Sequence, residues 1–169
     1  MTRRAALLAA LLLLPAEGAR AQAPPPVAET IAIPLSEKRL LGAPRALSLE
    51  AFLYRPASPG PLPVLVFNHG STGAGRVPPS SSEYLRYPEV GRFFVERGWA
   101  VLIPMRRGRG GSGGEYLERY DCERAILAAG VERAVEDLDA VLAFVAAQPW
   151  ADPARLLLGG MSRGGLLAV

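Results

Sequence analysis

The stretch LLLGGMSRGGLLAV, Leu156 to Val169, passes from an apolar run through a serine framed by glycines into a second apolar run. Gly160-Met161-Ser162-Arg163-Gly164 fits G-x-S-x-G, the nucleophile elbow, in which a strand turns abruptly into a helix and lifts a serine clear of the sheet's carboxyl edge. Gly160 and Gly164 leave room for neighbouring backbone in so tight a turn. The hydroxyl would stand where a helix begins, at about Arg163, and the N–H groups there favour developing negative charge. A plainer role, a serine that only caps that helix, fits the same string. A second match, Gly110-Gly111-Ser112-Gly113-Gly114, lies in a glycine- and arginine-bearing loop that reads as flexible and follows its apolar run only after several residues. Context therefore makes Ser162 the candidate nucleophile.

Upstream of the elbow, Arg155 to Gly159 reads as a buried strand entered through the turn WADP. Val64 to Phe67 and Trp99 to Ile103 are continuously apolar, the mark of strands covered on both faces. Val131, Ala134, Val135, Leu138, Val141, Leu142 and Val145 fall at helical spacing, with Glu132, Arg133, Glu136, Asp137 and Asp139 assigned to the other face. A shorter helix runs from Glu89 to Arg97 and stops at Gly98. Thr30 to Leu35 and Ala46 to Tyr54 suit an antiparallel hairpin. Strands alternating with helices predict an α/β fold with a mostly parallel sheet and helices on both faces.

Asn68-His69-Gly70-Ser71 ends the first of the apolar strands. Acyl transfer needs two backbone donors aimed at the developing oxyanion, one after the nucleophile and one from a loop following an earlier strand. Arg163 N–H is the expected first donor and Ser71 N–H the second, with Gly70 shaping the turn. His69 is the single histidine of the sequence. Its place beside the oxyanion turn suits a ring that locks the loop better than a general base facing Ser162.

Gly108, Gly110 and Gly113 form a literal G-x-G-x-x-G, but Pro104 to Arg107 separate it from its strand and no helix opens at once, so a dinucleotide site is not expected. Arg106, Arg107 and Arg109 beside glycine-rich backbone allow an anion site; pairing with nearby acids is the simpler expectation. No metal and no cofactor are expected, and Cys122, the single cysteine, is either buried and reduced or paired with something outside this chain.

The first residues read as a secretory signal: Arg3 and Arg4, the apolar run Ala5 to Leu14, then Ala19-Arg20-Ala21 as a cleavage site, giving a signal peptide over residues 1–21. That run is about half of the roughly 20 residues needed to span a bilayer, so no stable membrane anchor is expected after cleavage. A proline-rich linker over 22–29 and a domain over 30–169 follow. The whole chain carries a net charge of +3. Three of the arginines and one glutamate fall before residue 22, which leaves the mature chain near neutral and offers nothing to nucleic acid.

Together, NHGS, RRGRGGSGG and GGMSRGG, in that order on alternating strands and helices, resemble the α/β-hydrolase superfamily, nearest its dienelactone hydrolase-like and prolyl oligopeptidase-like members. The resemblance spans about Ala46 to Val169. It implies a serine hydrolase acting on an ester, lactone or peptide bond of a small molecule or peptide. It also implies that the acid and histidine of the triad follow the elbow, so the sequence is expected to be the N-terminal part of such a domain, truncated after the elbow and inactive by itself. The competing expectation is a non-catalytic exported binding domain that keeps the fold.

Overall fold

A computed structural model describes residues 26–38, 41–72, 83, 85–118 and 124–169. The signal peptide, the first part of the proline-rich linker, most of the long loop after Ser71 and Cys122 lie outside the described residues. Strand β1 (Glu29–Glu37) and strand β2 (Arg45–Tyr54) pair antiparallel, from Glu29 opposite Leu53 to Glu37 opposite Arg45. Strand β3 (Leu62–Asn68), helix α1 (Pro88–Val95), strand β4 (Ala100–Pro104), helix α2 (Arg124–Ala146), strand β5 (Ala151–Gly160) and helix α3 (Arg163–Leu166) follow. The sheet is open and ordered β1-β2-β4-β3-β5. Its β4-β3-β5 half is parallel, while β2 meets β4 antiparallel.

The apolar runs of β3 and β4 have the physical cause expected of them. Successive side chains of a strand point to opposite faces, and each face here has its own helix. Leu62, Val64 and Val66 of β3, with Ala100 and Leu102 of β4, pack with Ala134, Leu138, Val141 and Val145 of α2. Leu65, Val101 and Ile103 point the other way, toward Phe52, Tyr54 and the Val90 and Phe94 side chains of α1. Helices on both faces therefore make buried strands with no polar alternation.

Four local expectations change. Val135 is exposed, so the buried stripe of α2 is narrower than its apolar residues suggest. Asp137, assigned from sequence to the solvent face, is 2% exposed. Strand β5 begins at Ala151 and not at Arg155, because Ala151 pairs with Leu62 before the register jumps to Leu156 opposite Val64. The WADP turn is the resulting bulge, in which Asp152 Oδ1 accepts the Ala154 N–H at 3.0 Å. Strand β5 is also less covered than a buried strand: it pairs only with β3 among the described residues, and Leu156 and Leu157 are exposed.

Candidate active site

In the parallel pair β3 and β5, Asn68 lies opposite Gly160. The turns that leave the two strands are thus neighbours at the carboxyl edge of the sheet, where open α/β folds bind their ligands. Met161 N–H donates to Asn68 O at 3.1 Å, and Asn68 Nδ2 donates to Gly159 O at 3.3 Å. A Cβ added at Gly70 would touch Ser162 Cβ at 3.5 Å. The turn at Gly70 and the serine of the elbow are therefore in contact range.

Ser162 has φ 54° and ψ −120°, a conformation that costs a residue with a side chain on the order of 1–3 kcal/mol. Its side chain is exposed and makes no capping hydrogen bond to α3, so the plain helix-cap role is not the one it plays. The flanking glycines are required by contact. A Cβ at Gly164 would lie 2.0 Å from Asn68 O, and one at Gly160 2.3 Å from Gly164 backbone. Helix α3 is described over four residues only, so electrostatic help at Ser162 comes from individual N–H groups more than from a long helix dipole.

Ser71, Ser162, Arg163 and Leu166 line one open cleft of about 280 Å³. It brings together the serine and both residues expected to supply oxyanion donors. Neither the Ser71 N–H nor the Arg163 N–H donates to another loop or turn group among the described residues.

His69 is fully buried and both ring nitrogens are engaged. Nε2 lies 3.3 Å from the Arg106 N–H, which can only donate, so Nδ1 carries the ring proton and donates to Gly70 O at 2.6 Å. Burial, followed by the charge of Arg106, lowers its pKa to about 3. The imidazole is a neutral strut between the β3 turn and the loop after β4, with no nitrogen left to take a proton from Ser162.

The loop after β4 is not the flexible segment its composition suggests. Arg106, Arg107 and Arg109 are 2%, 1% and 0% exposed. Arg106 chelates the Glu118 carboxylate through Nε and Nη2 and donates from Nη1 to His69 O at 2.8 Å and from Nη2 to Gly70 O at 3.3 Å. Arg107 binds Asp137 with its backbone N–H and Nε, and reaches Glu136 at 2.8 Å and Glu37 at 3.3 Å. Arg109 lies 3.1 Å above the Tyr116 ring and donates to Thr72 Oγ1. These three side chains are committed to the fold, which removes the anion site proposed for them. Ser112, the serine of the second G-x-S-x-G, is buried. Its hydroxyl donates to Met105 O at 2.6 Å and accepts the Glu50 N–H at 2.8 Å, so it is a staple between the loop and β2. The glycine fingerprint opens no helix: none begins between Gly108 and Glu118.

Glu118 and Asp137 escaped the sequence reading. Nothing around Glu118 distinguishes it from a solvated loop acid. Asp137 did leave a signal: it sits three residues after Ala134 and four before Val141, both buried on the sheet side of α2. Among the described residues no three His, Cys, Asp or Glu side chains gather as metal ligands, and no helix is long and apolar enough to cross a membrane.

The family model of the X-Pro dipeptidyl-peptidases (S15 family) matches residues 46–169. The chain belongs to this family. It is thereby a member of a hydrolase family of the α/β-hydrolase superfamily, and solved structures share the fold. Est1E from Butyrivibrio proteoclasticus, with ferulic acid bound, is 23% identical at a TM-score of 0.54, covering 72% of this chain and 41% of that one. Esterase 2 of Thermogutta terrifontis, phosphorylated by paraoxon, is 21% identical at 0.51, covering 86% and 47%. The acylaminoacyl peptidase of Pyrococcus horikoshii is 19% identical at 0.50, covering 84% and 20%. The S15 chain thus spans less than half the length of each of these structures. No curated protein matches it in sequence.

Proposed function

We propose that Ser162 is the nucleophile of a serine hydrolase acting on an ester, lactone or peptide bond. Its Oγ adds to the carbonyl carbon, and the carbonyl electrons move onto oxygen, where the N–H groups of Ser71 and Arg163 receive them. Collapse expels the alcohol or amine and leaves an acyl-serine for water to cleave. The observation that carries the reading is the exposed Ser162, held at φ 54° in the cleft it shares with Ser71 and Arg163. Membership of a peptidase family and the shared fold with esterases support the reaction class.

The Oγ proton must go to a base, and His69, the single histidine, is neutral, buried and engaged at both nitrogens. Among the described residues no histidine is free to activate the serine. A free serine hydroxyl is a weak nucleophile, and loss of a triad member removes orders of magnitude of rate. The same fact favours the second reading, a binding domain that keeps the hydrolase fold without turnover. We also propose that the chain is exported on the signal at residues 1–21.

Adding imidazole as an external base to a p-nitrophenyl acetate assay separates the two readings. The hydrolase reading expects p-nitrophenolate release above the imidazole background, lost in Ser162→Ala. Identical rates for the parent chain and Ser162→Ala over the full imidazole range would leave the binding domain as the better account.

A further inference from the structure

The cations around the candidate site are unequally provided for. Arg106 has both oxygens of Glu118 and two carbonyls, Arg107 has three carboxylates, and Arg109 has the Tyr116 ring and Thr72. Arg163, directly after the nucleophile, has only a longer ion pair with the same Glu118. Its side chain is 10% exposed, its Nη1 is buried with no hydrogen-bond partner, and its Nε stands 3.8 Å from Glu118 Oε2, beyond hydrogen-bond distance. Two guanidiniums thus share one carboxylate that Arg106 already chelates, and His69 adds no negative charge. The Nη1 donor of Arg163 therefore remains unsatisfied in a residue that lines the cleft holding Ser162.

We propose that Arg163 makes this cleft an anion subsite, binding a carboxylate carried on a short aliphatic arm of the substrate beside the carbonyl that Ser162 attacks. The inference rests on Ser162 being the nucleophile. A buried N–H donor without a partner is costly, and a ligand carboxylate supplies the missing acceptor. The planar guanidinium matches a carboxylate, with two parallel N–H donors for two oxygens. Leu166 lines the same cleft and gives the arm an apolar surface, and about 280 Å³ suits a small ligand. The loop arginines, which the sequence offered for this role, are excluded by their own partners.

The test is an NMR titration of the ¹⁵N-labelled 169-residue chain at pH 7 with monomethyl glutarate and, separately, with the uncharged dimethyl glutarate. The subsite predicts saturable shifts centred on the Ser71, Ser162 and Arg163 amides with the monoester. Binding of the diester, and of the monoester to Arg163→Gln, is expected to be weaker by at least about tenfold. Arg163→Lys, which keeps the charge and loses the fork, should fall between. If Arg163→Gln does not fold, the two ligands on the parent chain decide alone: equal affinity, or no saturable shift with either, overturns the subsite. A carboxylate preference in a chain whose Ser162 proves unreactive would keep the subsite and remove the nucleophile; a reactive Ser162 without that preference would do the reverse.

Discussion

His69 shows how far a residue's neighbours can move its chemistry. A histidine two residues before a candidate oxyanion donor invites the role of base, yet its buried ring bridges Gly70 O and the Arg106 N–H and stays neutral, with a pKa of about 3 against the ordinary 6.5. The unfolded chain takes up a proton near pH 6.5 and the folded chain does so only near pH 3. The stabilisation from keeping the ring neutral is therefore whole above pH 6.5 and is lost progressively as pH falls toward 3. Chemical denaturation from pH 6 to pH 4 should show a contribution of about 1.4 kcal/mol per pH unit that His69→Gln lacks. Parallel pH profiles for the two proteins would mean that the imidazole protonates in place. At this scale the elbow was legible in the sequence, because Gly160 and Gly164 are dictated by contacts of 2.0–2.3 Å that any Cβ would make. It concealed Glu118, whose role depends on two arginines brought in from the loop and the elbow.

The elements that place the site are β3, β5 and the loop after β4. The two strands were legible because burial on both faces leaves an apolar run, as in Val64 to Phe67. The loop was not, because composition cannot tell a solvated arginine from one inserted beneath a helix. Arg107 joins the loop to α2 through Asp137, both nearly inaccessible to water. Removing one partner of such a pair strands the other charge in a medium that cannot solvate it. Arg107→Ala or Asp137→Ala should each destabilise by about 3–5 kcal/mol in urea titrations, and the double replacement should cost less than the two effects added together. Additive losses would show that the pair is not coupled. Charge and helical spacing conflict at Asp137, where spacing prevails, and Val135 is the converse, an apolar side chain left in solvent.

For the molecule as a whole, the order β1-β2-β4-β3-β5, with α1 and α2 on opposite faces, is a mostly parallel α/β sheet of the α/β-hydrolase superfamily, and the S15 family model matches residues 46–169. The alternation of strands and helices was enough to reach that fold class, whereas the bulge in β5 required coordinates. The proposed export makes its own prediction. Expressed in a Gram-negative host, the protein should be recovered from the periplasm with Gln22 as its N-terminus, and a cytoplasmic protein retaining residues 1–21 would contradict it.

Ser162 is lifted into an open cleft beside Ser71 and Arg163, where a supplied base makes it a nucleophile. Mass mapping of the adduct formed by a fluorophosphonate probe, with imidazole supplied as the base, measures this directly. The prediction is one adduct per chain, on Ser162, formed by the folded protein and lost on denaturation. Modification of Ser71 or Ser112 in its place, or an unmodified Ser162 in a folded sample, would contradict it.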